Sequence, residues 1–160
     1  MLKILLMGGT GAMGNHLVSL LKRTDNQVVV TSRSKRADSG NISYIQGNAH
    51  ELPFLHSLLK QKFDIIIDFM VYNTGEFKIR YKTILTACQQ YIFISSSRVY
   101  ADSHTPITED SPRILDVCKD ELYLKTDEYA LTKARQENIL FYSGFTNYYC
   151  CPIKLIKDKI

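Results

Sequence analysis

Three glycines closing a short apolar run constrain this chain more than any other feature. Leu2, Ile4, Leu5, Leu6 and Met7 are too few to cross a membrane and read as a strand buried on both faces, the pattern of a parallel sheet. Gly8, Gly11 and Gly14 follow at G-x-x-G-x-x-G spacing, and the periodicity of Ala12, Met13, Leu17, Val18, Leu20 and Leu21 opens a helix inside the motif. Each glycine has its own expected task. Gly8 permits the tight turn, Gly11 lets a pyrophosphate come close to the backbone, and Gly14 lets helix pack on strand, with the helix N-terminus aimed at the phosphates. Strand, glycine turn and amphipathic helix in that order supply the context that a dinucleotide site requires.

Residues 27–31 read as a second strand rich in β-branched side chains, ending at Ser32-Arg33-Ser34-Lys35-Arg36. The tip of such a strand meets the adenosine ribose, where an acid selects a free 2′-hydroxyl and an arginine accommodates a 2′-phosphate. No acid stands here. Arg33 can fork onto phosphate, with Lys35 or Arg36 adding charge, so NADP is favoured over NAD; a solvated basic loop is the alternative.

Residues 41–46 form a third expected strand, followed by Gly47 and Asn48. Leu52, Leu55, Leu58 and Leu59 recur at helical spacing, with Pro53 acceptable in the first turn. A fourth buried strand spans 63–69, and a helix is predicted over 75–89 with Ile79, Ile84 and Leu85 inward. The fifth strand, 91–94, ends in Ser95-Ser96-Ser97. Residues 98–121 read as a long surface loop, 127–142 as a helix, and 147–150 as the start of a sixth strand. The order βαβαβαβαβαβ specifies an α/β fold, a doubly wound parallel sheet with helices on both faces and ligands outside the strand C-termini.

With 160 residues, 45% hydrophobic and 22% charged, one domain with one core is expected. The net charge of +4 is modest and no basic run interleaves with aromatics, so no nucleic-acid partner is expected. No apolar run approaches membrane length, and Met1 leads straight into the first strand, so a soluble protein without a membrane partner is expected. Cys88, Cys118, Cys150 and Cys151 show neither C-x-x-C spacing nor the density of a disulfide scaffold, which makes a reducing, cytoplasmic setting the simplest.

Tyr129 and Lys133 stand at i and i+4, on one face of the predicted helix. A phenol titrates near pH 10 when unperturbed; a nearby ammonium, aided by an oxidised nicotinamide, favours the phenolate and makes acid–base work feasible. Ser96 can donate a hydrogen bond to the reacting oxygen. A surface tyrosine beside a solvated lysine is the plain alternative.

GGTGAMG at 8–14, SSSRVY at 95–100, PITEDSP at 106–112 and YALTK at 129–133 together resemble the extended short-chain dehydrogenase/reductase family, also called NAD-dependent epimerases/dehydratases and typified by nucleotide-sugar epimerases. The resemblance runs from Met1 to about Cys151. It implies an NAD(P)-binding Rossmann fold over 1–152, with Gly8, Thr10, Gly11, Ala12, Met13, Gly14, Arg33, Asn48, Tyr129 and Lys133 at the cofactor. It implies Tyr129 as catalytic acid/base, Lys133 on the nicotinamide ribose, and Ser96, or Ser97 if the strand end is read one residue later, as the third catalytic residue. A small-molecule substrate, such as a nucleotide sugar, is implied as well.

Several positions depart from the pattern. Asn48 replaces a common aspartate, though an amide can still pair with an adenine edge. Ala101 stands for a usual glycine and Phe77 for an asparagine. Arg98 reads either as a contact to an anionic substrate or as a solvent-facing charge. The family continues beyond the sixth strand into a substrate domain, whereas this sequence ends CPIKLIKDKI, so an atypical tail over 153–160, a truncated or frameshifted product and a largely absent substrate domain are expected. Exposed apolar surface then favours a homo-oligomer. Three readings follow: an NAD(P)-dependent epimerase, dehydratase or reductase; a dinucleotide-binding regulatory module; and an inactive remnant.

Overall fold

The computed structural model describes residues 1–153; the atypical tail expected over 153–160 lies, beyond Ile153, outside the described residues. The central strand, β1 (Lys3–Met7), is apolar on both sides. Leu5 and Met7 join one buried layer, Ile4 and Leu6 the other. It pairs in parallel with β2 (Gln27–Ser32) and with β4 (Phe63–Asp68), so that Leu5 lies between Val29 and Ile66. With β3 (Ile42–Gln46), β5 (Cys88–Ser96) and β6 (Tyr148–Ile153) these make a six-stranded parallel sheet of order β3-β2-β1-β4-β5-β6. The order reverses between β1 and β4, which opens a crevice beyond their carboxyl ends.

Helices cover both faces, as a doubly wound sheet requires. α1 (Ala12–Leu21) sets Val18 on Ile4, Leu6, Val28, Val30 and Ile42. The opposite face carries α2 (Leu52–Leu59), α3 (Thr74–Lys78) and α4 (Tyr81–Leu85), which bury Leu55, Phe77 and Ile84 in the larger core. After the short helices α5 (Ile114–Val117) and α6 (Glu121–Leu124), α7 (Tyr129–Phe141) returns to that face and buries Leu140. Among the described residues α1 has no neighbouring helix on its side, and Met13, His16, Leu20, Ile67, Ile92 and Ile94 line an apolar groove of about 530 Å³.

Three expectations are corrected. The strict alternation of strand and helix fails between β2 and β3, where residues 33–41 cross over without a helix. Apart from Ala37 this segment has no apolar side chain to lay on the sheet, so an amphipathic helix has nothing to bury. The single helix over 75–89 is two short helices, broken where Arg80 turns inward to donate to the His50 carbonyl at 3.0 Å and lie 4.5 Å from the Tyr72 ring. Ile79, expected inward, is 60% exposed as a result. The fifth strand begins earlier than expected, at Cys88, because its first residue pairs with Phe63 of β4.

Gly8 has φ of +69°, the left-handed turn that ends β1. Gly14 answers a different need: a Cβ there would lie 2.5 Å from backbone atoms of Gly9, so at this residue the helix meets the loop backbone rather than the strand. Gly11 has no such neighbour, its nearest atom being the Gly8 carbonyl oxygen at 4.0 Å. Gly14→Ala is therefore expected to cost about 1–3 kcal/mol, and Gly11→Ala to stay within about 0.5 kcal/mol, in urea unfolding of each variant beside the parent chain.

Candidate functional site

The turn after β1, the tip of β2 and the loop after β3 enclose a cavity of about 450 Å³, whose lining includes Gly8, Thr10, Gly11, Thr31, Arg33 and Asn48. Parallel strands end on one side, which is why distant segments meet there. The Gly8 N–H donates to Thr31 Oγ1 at 2.9 Å, and Asn15 Nδ2 holds the Thr10 carbonyl at 2.9 Å, so both ends of the loop are anchored. α1 starts from Gly11 with no side-chain cap and no acid in its first turn. Its first N–H groups are thus left for an anion.

Arg33 is exposed on the rim; Gln46 Nε2 donates to its carbonyl at 3.3 Å, which fixes the loop and leaves the guanidinium to swing. The Asn48 amide is already engaged: Oδ1 accepts from the His50 N–H at 3.1 Å and Nδ2 donates to Glu51 Oε1 at 3.3 Å. The side chains of Ala12 and Met13 line the apolar groove instead of the cavity, and Gly14 is buried against Gly9. Met70 and Val71, the residues after Phe69 that the topology puts at the end of β4, also line the cavity, as do Phe69 and His50, which were not anticipated.

Ser96 ends β5 and is buried, with Oγ accepting from the Arg98 N–H at 3.2 Å to cap a 3₁₀ turn, Ser97–Val99. Its hydroxyl proton remains available to donate. Ser97, the alternative, lies within that turn. Tyr129 is the first residue of α7 and is 40% exposed. Lys133, one turn on, is 2% exposed; its Nζ donates to the Ile94 carbonyl at 2.8 Å and lies 4.5 Å from the Phe93 ring centroid. The phenol therefore opens to solvent while the ammonium turns to β5, and no hydrogen bond joins them among the described residues. Burial pushes the Lys133 ammonium below the usual lysine range, against the opposing pull of Asp68 and Glu137.

Glu128 caps α7. It accepts from the Ala130 N–H at 2.6 Å, the Tyr123 hydroxyl at 3.2 Å and Arg98 Nη2 at 2.6 Å. Arg98 thus ties the turn after Ser96 to the head of the helix that begins with Tyr129. Burial would raise the Glu128 carboxyl, but these donors together hold it below the usual range.

Beneath this head lies a polar cluster that pattern reading missed. Asp68, fully buried, accepts from the Met70 N–H at 2.9 Å, Tyr91 hydroxyl at 2.8 Å and Tyr72 hydroxyl at 3.4 Å. Glu137 accepts from Ser95 Oγ at 2.5 Å and from Arg113 Nη2 at 2.8 Å. An acid closing the apolar run Ile65-Ile66-Ile67 at the carboxyl end of the strand was the one available signal for Asp68.

A family model described as the NAD dependent epimerase/dehydratase family matches residues 4–147. A sequence search of curated proteins gives no match. The fold is similar to that of a UDP-Glc/GlcNAc 4-epimerase from Campylobacter jejuni (20% identity, 87% of this chain, 48% of that one, TM-score 0.68). It is similar to a UDP-N-acetylglucosamine 4-epimerase from Methanobrevibacter ruminantium M1, solved with UDP-N-acetylmuramic acid (21%, 93%, 53%, 0.69). A dTDP-glucose 4,6-dehydratase from Bacillus anthracis, solved with NAD, is similar as well (16%, 94%, 54%, 0.68). The chain spans about half the length of these proteins. Among the described residues no helix is long and apolar enough to cross a membrane, and no group of acids, histidines and cysteines could hold a metal ion.

Removing the α7 cap with Glu128→Ala is expected to cost about 1 kcal/mol at neutral pH, with little of it from the exposed Arg98 pair. Because the folded carboxyl titrates below its unfolded value, this stability is present above the usual carboxylate range and is lost as pH falls from there through the lower folded value. Thermal melts of both proteins from neutral pH down to acid should show the gap closing.

Proposed function

Because the chain belongs to the NAD dependent epimerase/dehydratase family, we propose that its crevice binds NADP in preference to NAD and serves hydride chemistry on a nucleotide-sugar-like alcohol. The observation that carries this reading is the uncapped start of α1 facing a cavity where Gly11 leaves the backbone bare, with Arg33 on the far rim. The residues present suit a dinucleotide. The first-turn N–H groups of α1 take the pyrophosphate, Gly8 and Gly11 leave it room, and Arg33 takes the 2′-phosphate. Asn48, with one Nδ2 proton given to Glu51, has its second for the adenine edge. When bound, the nicotinamide supplies the hydride acceptor or donor.

The chain's own residues then handle the proton. Tyr129 moves the substrate hydroxyl proton, its phenol being the exposed member of the set. Ser96 donates its free hydroxyl proton to the same oxygen, and Lys133 holds positive charge beneath them, with its remaining ammonium protons free for a ribose. Epimerisation, dehydration and simple oxidation share this step. Binding without turnover is the second reading, favoured by the cavity lining, which takes in Gly8, Thr10, Gly11, Arg33 and Asn48 and leaves out Ser96, Tyr129 and Lys133.

Calorimetric titration should find NADPH bound about tenfold more tightly than NADH, a difference near 1.4 kcal/mol, with Arg33→Ala equalising the two. Binding of neither would overturn the cofactor reading. In a nucleotide-sugar turnover screen, Tyr129→Phe should lose about 10²-fold or more in rate, a larger loss than in its cofactor affinity; cofactor binding without turnover in the parent chain selects the second reading.

A further inference from the structure

Among the described residues, the buried acids are Asp68 and Glu137 and the buried cations are Lys133 and Arg80. Glu137 has its cation in contact, Arg113 at 2.8 Å. Arg80 is turned to the Tyr72 ring and the His50 carbonyl. Asp68 and Lys133 are left, each without an ion-pair contact. They are close nonetheless: Asp68 is the cross-strand partner of Phe93, parallel partners point to one face, and the Lys133 ammonium lies over the Phe93 ring. Tyr91, two residues before Phe93 and so on that face, fixes the carboxylate with its hydroxyl.

We propose that Asp68, seated by Tyr91, is the counter-charge that keeps Lys133 protonated in the interior, and is thereby a positioning residue for the ammonium beneath Tyr129. The groups facing Lys133 from its neighbours leave few alternatives. α7 offers Glu137, already answered by Arg113; β5 offers an aromatic ring and the Ile94 carbonyl; β6 offers Cys150, whose thiol is pushed up to about 12 by burial and the Glu137 charge and so stays neutral. Burial drives the Lys133 ammonium toward discharge, and Asp68 is the largest of the contributions that oppose it, ahead of Glu137 and Cys150. The relation is mutual. Burial drives Asp68 toward its protonated form, and the Met70 N–H, the Tyr91 hydroxyl and Lys133 resist. Its consequence for turnover rests on the acid–base reading above, whereas the charge relation itself does not.

The test is the titration of the Lys133 side chain, followed in the intact chain by NMR of ¹³C-labelled lysine and assigned with Lys133→Met. Asp68→Asn should weaken the proton affinity of Lys133 about tenfold or more. Tyr91→Phe, which keeps the carboxylate but removes its hydroxyl donor, should move it the same way by less. Should Asp68→Asn fail to fold, Tyr91→Phe and the reciprocal measurement decide: Lys133→Met must raise the Asp68 titration, because coupling between two sites is symmetric. A role for Asp68 confined to holding Tyr91 and the Met70 turn would leave Lys133 titrating as in the parent chain. That result, or an Asp68 titration indifferent to Lys133→Met, overturns the proposal, and neither depends on whether cofactor binds or substrate turns over.

Discussion

The geometry of the crevice depends on one close approach, the α-carbon of Gly14 against the backbone of Gly9. No side-chain atom fits between them, since a Cβ would sit at 2.5 Å from three backbone atoms. That contact sets where α1 begins relative to the end of β1, and so where its free N–H groups point. β1 is itself fixed, paired on both edges and buried on both faces. A rigid strand, a left-handed turn at Gly8 and a helix seated on that turn therefore leave the helix N-terminus little freedom. Preorganisation of this kind lets backbone donors act on an anion without paying to assemble them.

Much of this was legible because it rests on residue types with narrow uses. Apolar runs without alternation mark strands covered on both faces, and the glycine spacing marks the turn. Once the strands were known to be parallel, Gly8, Arg33 and Asn48 had to gather at one end of the sheet, and they line one cavity. What escaped was whatever depended on the direction a side chain takes. Ala12 and Met13 belong to the loop by sequence, yet their side chains turn to the groove and only their backbone N–H groups can face the crevice. An i, i+4 spacing put Tyr129 and Lys133 on one face, but did not say that the flexible lysine stem would bend down to the Ile94 carbonyl. Arg80 is the same case in the fold: a charged residue in a helical pattern reads as exposed, and here it is buried and stands at the break, as the N-cap of α4.

The two faces of the sheet are finished differently. Four helices press on one, while among the described residues α1 stands without a helical neighbour on the other. Ile67, Ile92 and Ile94 are nonetheless apolar on that side, where strands facing water would alternate with polar residues. The strands are thus patterned for cover over β4 and β5 as fully as over β1 and β2. The crossover from β2 to β3, polar along its length, is patterned for water and supplies none of that cover.

Buried charge is handled in two distinct ways beneath the head of α7. Arg113 and Glu137 touch, and contact consumes donors: Arg113 also serves Asn138 and the Ala134 carbonyl, so the group is committed to structure. Asp68 and Lys133 are coupled without touching. Under the proposed function, a contact pair there would be the better ion pair and the poorer site, because it would occupy ammonium protons that a bound ribose would use. At a distance, the carboxylate offsets part of the desolvation of the ammonium while Tyr91, Tyr72 and the Met70 N–H satisfy its oxygens. Of the three protons on Lys133, one is given to the Ile94 carbonyl and, among the described residues, the other two have no acceptor. Separation of the charges is what lets a lysine be buried, ionised and still able to donate.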